Sequence, residues 1–389
     1  MSDGRGAANM ATHSYDIAIV GAGILGLAHA LAAARLGLRV VVIDRDAQAN
    51  GASVRNFGFV TVTGQEAGDC WLKARRSRDV WAEVARAARI PVLHEGLLVT
   101  ARRPEAEEVI DAFLQTRMGE ACRRLTASEA RKRCAPLREN TVTSALWSPH
   151  ELRVESRAAI PRLAEWLEEV HGVTFLWRTA VHGVDTPWVA TSRGPVQAAA
   201  VIVCPGDDTA TLFADRLAGF GVTRCKLNML RLTPRTPVRL GQAVMSDLGL
   251  ARYLGYARLP AARALARRLD AEQPDQRVNG IHLITVQSGD GSLVVGDSHH
   301  YDPTPDPFQD QAVNRLILDE FETVLDVGEY DVTETWIGTY ASAPDRWRIT
   351  DVPEPATRLV VVTAGCGAST AFAIGEETLY DITGKDPAA

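Results

Sequence analysis

The chain has 389 residues, 46% of them hydrophobic, and a formal net charge of −6 at pH 7. This length exceeds what one small core needs and suits two domains, and the apolar content is typical of a packed globular protein rather than a disordered chain. The negative net charge gives no reason to expect a nucleic-acid partner.

The N-terminal segment is small and polar. Residues 1–13 lack the apolar run of a signal peptide, and we expect them to form a disordered tail. No apolar run in the sequence reaches membrane-spanning length, so we expect no membrane contact. The six cysteines contain no CxxC pair and no histidine cluster has zinc spacing, which predicts no metal site and a reducing, cytoplasmic location.

Residues 15–44 contain the most informative motif. A short apolar run at 17–20 is followed by Gly21-Ala-Gly-Ile-Leu-Gly26, a helical segment to about Leu36, and a second apolar run that ends at Asp44. This order is typical of a βαβ unit that binds a dinucleotide. In such a unit the terminal acid, here Asp44, accepts a hydrogen bond from a ribose hydroxyl.

Each glycine of this motif has a physical role. Gly21 allows a tight turn out of the strand, Gly23 lets the backbone approach a pyrophosphate, and Gly26 lets the helix lie close to the sheet. The start of the helix, at Ile24 and Leu25, offers free N–H groups and the positive end of the helix dipole to the pyrophosphate. The motif predicts a dinucleotide cofactor without identifying which one.

The remaining elements predict two kinds of sheet. Apolar runs at 198–204 and 359–363 indicate buried parallel strands, whereas alternating segments between about 222 and 336 indicate antiparallel strands. Thr126-Ala-Ser-Glu129 predicts a capping box at the start of a helix.

We therefore predict an α/β fold. It comprises a Rossmann-like, glutathione-reductase-type parallel-sheet domain with an inserted α+β antiparallel-sheet domain for the substrate. The predicted cofactor domain covers residues 14–75, 145–218 and 332–389, and the predicted substrate domain covers residues 76–144 and 219–331.

A second glycine cluster favours FAD as the cofactor. Residues 364–370 read Ala-Gly-Cys-Gly-Ala-Ser-Thr and lie between a predicted strand and a closing helix. They would bring a second helix N-terminus to the first site, whereas a NAD-dependent dehydrogenase usually completes its nucleotide site in the N-terminal half. A longer cofactor whose ring system needs backbone donors explains this arrangement better.

The chain resembles the FAD-dependent amine oxidoreductases of the D-amino-acid oxidase and glycine oxidase superfamily over roughly residues 14–384. The matching segments are Gly21-Ala-Gly-Ile-Leu-Gly26, Gly51-Ala-Ser53, Val203-Cys-Pro-Gly206 and Gly365-Cys-Gly-Ala-Ser-Thr370. Within the superfamily, the chain is most similar to a subfamily associated with phosphonate breakdown. That similarity lies in Ala52-Ser-Val-Arg-Asn-Phe-Gly-Phe59, Val295-Gly-Asp-Ser-His-His-Tyr301 and Ala368-Ser-Thr-Ala-Phe372.

The resemblance implies a set of contacts to FAD. The cofactor-binding residues would be Gly21, Gly23, Ile24, Leu25, Gly26, Asp44, Arg45, Ser53, Arg55, Asn56, Val181, Gly206, Gly365, Gly367, Ser369 and Thr370. Ser53 would touch a phosphate, and the C-terminal residues would donate to the flavin C2 carbonyl. As alternatives, Ser53 and Ser369 would be helix caps and Asn56 a turn residue.

Two departures from the superfamily refine this expectation. Gly338 stands where sarcosine oxidase-like members carry the cysteine that tethers the flavin, so we predict non-covalent FAD. Tyr340 stands where glycine and D-amino-acid oxidases place an arginine for the substrate carboxylate. An α-amino acid would lose its bidentate partner there, which favours a different anion held from elsewhere.

The resemblance implies oxidation of an amine C–N bond in a small anionic amine. The expected substrate is N-methylated 2-aminoethylphosphonate, giving phosphonoacetaldehyde and methylamine; the alternative is a glycine, sarcosine or D-amino-acid oxidase or dehydrogenase. Groups expected to bind the anion, together with Arg55, are Tyr253, Tyr256, Arg258, His282, His299, His300, Tyr340 and Arg346. For some of these residues an alternative role stays open. Arg258 would then be a solvated surface charge, one histidine of the 299–300 pair would have a structural role, and either Tyr253 or Tyr256 would be a core residue.

Catalytic roles are expected for Lys226, Tyr340 and Arg55. Related oxidases often use a lysine near the flavin for reoxidation by oxygen, and Lys226 is the one lysine in a predicted strand that faces the site. Its alternative role is in an ion pair. We expect an oxidase that forms hydrogen peroxide, with another electron acceptor left open, and the pattern does not define the oligomeric state.

Overall fold

A computed structural model describes residues 14–388, and in it the chain forms two β-sheets with helices packed around them. No helix within this range combines the length and the apolar character needed to cross a lipid bilayer. The α/β fold class with two sheets is confirmed.

The first sheet has eight strands around a parallel centre. Its central order is β17-β18-β10-β1-β2-β7, in which β18, β10, β1, β2 and β7 run parallel. These strands, with the flanking pair β8 and β9, are β1 (Ser14–Val20), β2 (Val40–Ile43), β7 (Thr174–Leu176), β8 (Val181–Asp185), β9 (Trp188–Thr191), β10 (Val196–Val203), β17 (Arg348–Glu354) and β18 (Thr357–Val362).

The second sheet has ten strands and is antiparallel except where β12 pairs with β4. Its strands are β3 (Phe59–Val60), β4 (Val92–Ala101), β5 (Arg123–Thr126), β6 (Ser144–Val154), β11 (Thr223–Pro234), β12 (Ala243–Met245), β13 (Ile284–Gln287), β14 (Leu293–Gly296), β15 (His300–Asp302) and β16 (Tyr330–Ser342). The longest pairing in this sheet joins β11 to β16.

The helices connect and cover the sheets. They are α1 (Ile24–Arg35), α2 (Asp69–Ala87), α3 (Pro104–Leu114), α4 (Ala127–Arg133), α5 (Ser156–His171), α6 (Ala214–Gly219), α7 (Leu254–Ala257), α8 (Ala262–Glu272), α9 (Pro274–Val278), α10 (Gln311–Val324) and α11 (Gly367–Thr383), with 3₁₀ turns at Arg117–Gly119 and Asp247–Ala251. The predicted capping box is confirmed, because the Thr126 side chain accepts from the Glu129 N–H and the Glu129 carboxylate accepts from the Thr126 N–H.

Three of the predicted domain boundaries divide single elements of the structure. The divisions after residues 75, 144 and 331 fall inside or at the edge of α2, β6 and β16. Both β6 and β16 pair within the second sheet, although residues 145–154 and 332–342 are predicted to belong to the cofactor domain. Backbone pairing places both strands there, and side-chain alternation alone does not reveal a strand's partner. The predicted tail lies outside the described residues.

A buried ion network stabilises the second sheet's helical layer. Asp247, fully buried, accepts hydrogen bonds from Arg102 at 3.0 Å and Arg103 at 2.9 Å. Arg102 also donates to the buried Glu320 carboxylate at 2.6 Å. The network fixes the 3₁₀ turn at Asp247–Ala251, and the next residue, Arg252, lies in the cavity described below.

Removing the buried acid should destabilise the protein strongly. We expect Asp247→Ala to lower the free energy of unfolding by about 3–5 kcal/mol, because two buried arginines lose their carboxylate. The matched control is Asp319→Ala, which removes a more exposed carboxylate paired with Arg315 and should cost at most about 1 kcal/mol. Urea unfolding measures both variants, and equal losses would show that the buried network contributes no special stability.

Candidate active site

One cavity of about 460 Å³ lies between the two sheets. Its lining includes the first turn of α1, the loop from residue 363 to 368, strand β16, and the chain around residues 252–254 and 297–301. This volume is in the range of sites that bind small molecules. The cavity therefore joins the two glycine clusters to the second sheet.

The first glycine cluster forms a turn in which side chains do not fit. Gly21 has φ of +103°, and a Cβ there would lie 2.4 Å from the Cys204 carbonyl oxygen. A Cβ on Gly26 would lie 1.8 Å from the Gly21 oxygen. Both predicted roles, the tight turn and the close approach of the helix, agree with this geometry. Gly23, Ile24, Leu25 and Gly26 all line the cavity.

Ser53 lies at the N-terminus of α1. Its Oγ accepts from the Ile24 N–H at 2.9 Å, so it caps the helix from a distant loop and also lines the cavity. The Asp44 carboxylate accepts from the Ala22 N–H at 2.7 Å and the Asp46 N–H at 2.9 Å. Burial raises the pKa of Asp44. Both side chains organise the turn, and their contacts to a phosphate and a ribose stay predictions.

The outer cofactor residues differ in where they lie. Gly206 and Arg55 line the cavity, and the Arg55 side chain forms no hydrogen bond or ion pair within residues 14–388. Arg45 is exposed and pairs with Asp208 at 2.8 Å, and Val181 is buried in β8; neither belongs to the cavity lining. Their contacts to the adenine end stay predictions.

Asn56 has the structural role of a turn residue, which was the alternative to its predicted contact with FAD. Its amide nitrogen donates to the Ala52 carbonyl at 2.6 Å, and its oxygen accepts from the Gly58 N–H at 2.6 Å and from Ser156 at 2.9 Å. The side chain therefore ties the loop together, although the residue still lines the cavity.

The second glycine cluster opens directly into α11. Gly365 has φ of +67°, and a Cβ there would lie 3.2 Å from the Tyr340 ring. Gly367 and Ala368, the first residues of α11, line the cavity. Because the first turn of a helix leaves N–H groups without intrahelical partners, this helix start offers donors to a ligand.

Ser369 and Thr370 require a correction. We predicted that they donate to the cofactor, but neither lines the cavity. Ser369 Oγ accepts from the Thr61 N–H at 2.9 Å, and the Thr370 hydroxyl donates to the Cys366 carbonyl at 2.9 Å. The helix begins four residues earlier than predicted, so both side chains turn into the protein rather than into the cavity.

The cavity also contains an arginine that was not predicted from the sequence. Arg252 lines the cavity beside Tyr253, and its guanidinium donates to the Tyr301 hydroxyl at 2.9 Å. It forms no ion pair with a carboxylate of residues 14–388, and its pKa is raised even though burial opposes the charge. A lone cation in a concave site is suited to an anionic ligand.

Three further buried groups face the same region. His282 Nδ1 lies 3.4 Å from Asp297 Oδ1, and His299 Nε2 lies 3.9 Å from Asp297 Oδ2. Burial, followed by repulsion from Arg252, lowers the pKa of both histidines well below the ordinary value. Burial raises the pKa of Asp297 to about 7. Asp297 was also not predicted, although it lies inside the segment 295–301 that carried the resemblance.

These three side chains are close enough to consider a metal ion. One ligand atom from each lies within 4.8 Å of the others. The Arg252 charge that lowers the pKa of both histidines would also repel a metal cation. Arg252 therefore disfavours a metal ion held by these two histidines.

Of the other predicted substrate residues, Tyr253, His282, His299 and Tyr340 line the cavity.

The remaining four predicted substrate residues do not line the cavity, so these predictions are corrected. Tyr256 is a fully buried core residue that packs against Phe113, and His300 donates to the Asn279 side chain at 2.9 Å. Arg258 and Arg346 are exposed and pair with Glu66 and, at 2.7 Å, with Asp345. Composition cannot distinguish a surface arginine from one in a cavity.

Lys226 is also a correction. It lies in β11, and side chains alternate between the two faces of a strand. Its neighbour Leu227 lines the cavity, whereas the Lys226 ammonium donates to the Phe308 carbonyl at 2.6 Å outside that lining. The predicted catalytic role for Lys226 in reoxidation therefore does not fit the structure.

Comparison with known proteins gives a family match. The profile of the DAO family, described as "FAD dependent oxidoreductase", matches residues 16–380. No functionally curated protein matches the sequence.

Solved structures show the same fold at low sequence identity. L-proline dehydrogenase from P. horikoshii has a TM-score of 0.78 and 19% identity over 96% of this chain and 94% of that chain. Glycine oxidase from Geobacillus kaustophilus has a TM-score of 0.74 and 18% identity over 96% of each chain. Iminodiacetate oxidase from Chelativorans sp. BNC1 has a TM-score of 0.73 and 20% identity over 95% of each chain. These matches establish a shared fold.

A methyl group at Gly26 should prevent cofactor binding. We expect purified Gly26→Ala to retain less than about a tenth of the wild-type flavin, since displacing the Gly21 carbonyl disrupts the turn that approaches the pyrophosphate. Gly183→Ala is the control, because a Cβ there meets nothing within 4 Å. Flavin absorbance per protein reports the outcome, and full flavin content in Gly26→Ala would contradict the proposed close approach.

Proposed function

Because the chain belongs to the FAD-dependent oxidoreductase family, we propose that it oxidises an amine C–N bond in a small anionic amine. The proposed substrate is N-methylated 2-aminoethylphosphonate, and the products are phosphonoacetaldehyde and methylamine. FAD is the cofactor of the family, and we propose that it is held without a covalent bond, since Gly338 stands at the tethering position of related enzymes.

The chemistry of the cavity wall fits FAD. The turn at Gly21–Gly26 would hold the pyrophosphate, and the first turn of α11 would donate to the ring system. The bound cofactor would supply the acceptor for a hydride from the carbon next to the amine nitrogen. The imine that leaves then takes up water and separates into aldehyde and amine.

Arg252 is the observation that supports an anionic substrate. Its guanidinium lies in the cavity, bonded to Tyr301 but to no carboxylate of the described chain. A guanidinium presents several N–H donors in a fixed plane, which suits the oxygens of a phosphonate. Tyr253 beside it adds a further donor, because burial raises the pKa of its hydroxyl and keeps it protonated.

Tyr340 supports a substrate other than an α-amino acid. It lies between Gly365 and His299, with its ring centroid 6.3 Å from that of His299. Burial raises its pKa well above the ordinary value, so it stays neutral. A neutral hydroxyl binds a carboxylate more weakly than the arginine that the resemblance places here in amino-acid oxidases.

The protein must also supply a neutral amine. An alkylammonium group with a pKa near that of lysine, ~10.4, costs roughly 4–5 kcal/mol to deprotonate at pH 7. A dry cavity lowers this cost because burial disfavours the cation. We propose oxygen as the electron acceptor, with one hydrogen peroxide formed for each amine oxidised, and peroxide detection during turnover tests this part.

Removing the cavity arginine should weaken binding of the anion selectively. We expect Arg252→Met to raise KM for N-methyl-2-aminoethylphosphonate about 10- to 100-fold, the equivalent of roughly 1.5–3 kcal/mol in charge-assisted hydrogen bonds. N-methylpropylamine, which lacks the anion, should react at a similar rate with both proteins. Arg346→Met, at an exposed arginine outside the cavity, is the control. Equal losses for the charged and uncharged amines would contradict the assignment of Arg252.

A further inference from the structure

Asp297 lines the cavity and has one carboxylate oxygen, Oδ1, that no hydrogen-bond donor among residues 14–388 reaches. Its side chain is 6% exposed, and this oxygen is buried. Two histidine ring nitrogens lie near the carboxyl group: His282 Nδ1 is 3.4 Å from Oδ1, and His299 Nε2 is 3.9 Å from Oδ2. An unpartnered buried carboxyl group is costly, so its persistence in a ligand cavity points to a ligand.

We propose that Asp297 binds the substrate ammonium group and accepts its proton before oxidation. The proposal rests on the proposed function and adds a residue for the step that the amine chemistry requires. In this step one N–H bond of the substrate breaks and one O–H bond forms on Asp297. The neutral amine keeps its lone pair, and no electrons leave the substrate at this stage.

The surroundings of Asp297 suit this exchange. The charged and titratable groups that face it are Arg252, Tyr253, His282, His299 and Cys225. Burial opposes the ionised carboxylate and the Arg252 charge favours it, and the balance leaves its pKa at about 7. Such a group is ionised near neutral pH and still takes a proton readily.

The other groups are poorer acceptors. Burial lowers the pKa of His282 and His299 well below the ordinary value, so a proton on either ring is strongly disfavoured. His299 Nδ1 already donates to the Gly280 carbonyl at 3.0 Å, which fixes the ring. Tyr253 and Tyr340 have raised pKa values and stay protonated. The cavity thus offers Arg252 to an anion and Asp297 to an ammonium, which matches a zwitterionic substrate.

The pH dependence of flavin reduction tests this step. Anaerobic stopped-flow measurements give the second-order rate constant for reduction by N-methyl-2-aminoethylphosphonate, which reports the free enzyme and free substrate. In the wild type we expect this constant to rise tenfold per pH unit below about 7 and to level off between pH 7 and 9. In Asp297→Asn we expect a loss of about 100-fold or more at pH 7.5, because a positioned base contributes that much.

The shape of the variant's profile separates catalysis from folding damage. Without the acceptor, Asp297→Asn must use the small fraction of free amine, so its rate constant should rise tenfold per unit through pH 9. Asp302→Asn, at an exposed carboxylate of β15, should keep the wild-type profile. Parallel profiles in wild type and Asp297→Asn would overturn the proposal. So would a stoichiometric metal ion whose removal by a chelator abolishes activity.

A binding measurement tests the ammonium contact without turnover. The probe is 2-(trimethylammonio)ethylphosphonate, a fixed cation that can neither lose a proton nor be oxidised at nitrogen. Its affinity for the wild-type holoenzyme should fall about fivefold more between pH 7 and 6 than its affinity for Asp297→Asn, as expected for a carboxyl group with a pKa of about 7. Ionisation of the phosphonate affects both proteins equally, so the comparison with the variant removes its contribution. Equal pH dependence in both proteins would contradict the ammonium contact.

The two experiments also separate this proposal from the proposed function. If no amine reduces the flavin but the probe binds with the predicted difference, the proposed oxidation is wrong and the role of Asp297 in binding stands. If amines reduce the flavin and the profiles of wild type and Asp297→Asn coincide, the oxidation stands and the role of Asp297 is wrong.

Discussion

The close approach of α1 to the turn before it sets the geometry of the whole site. Gly26 leaves no room for a side chain against the Gly21 carbonyl, and a Cβ on Gly375 of α11 would lie 2.8 Å from the Ala28 carbonyl oxygen of α1. Because both contacts require glycine, α1 and α11 pack with their first turns beside one cavity. The N-termini of two helices that are far apart in the chain would then serve one negatively charged cofactor.

The second sheet adds the groups that distinguish a substrate. The buried network around Asp247 fixes the 3₁₀ turn that ends next to Arg252, while the end of β14 delivers Asp297 to the same cavity. Arg252 and Asp297 therefore form a pair of opposite charges in a cavity that Arg55 and Glu66 also line. Such a pair complements a short molecule with an anion at one end and an amine at the other, and burial strengthens both interactions.

The sequence predicted those parts of the molecule that local chemistry determines. The glycine turn, the capping box at Thr126 and the fold class are confirmed, because each depends on residue types at fixed spacings. Arg258 was predicted to bind the substrate anion, whereas Arg252 is the arginine of this segment that lines the cavity. Both lie on a short irregular segment, whose backbone path determines which side chain enters the cavity. Lys226 was assigned to the wrong face of its strand. Alternation divides the side chains of a strand between two faces, but it does not determine which face lies toward the cavity.

Anaerobic reduction of the bound flavin by two matched amines tests the substrate class most directly. N-methyl-2-aminoethylphosphonate and N-methyl-β-alanine share the same amine and spacing and differ in the anion. We predict that the phosphonate bleaches the flavin with a second-order rate constant about 10- to 100-fold higher, as expected for stronger charge-assisted contacts to Arg252. Equal or faster bleaching by the carboxylate, or no bleaching by either amine, would contradict the proposed substrate.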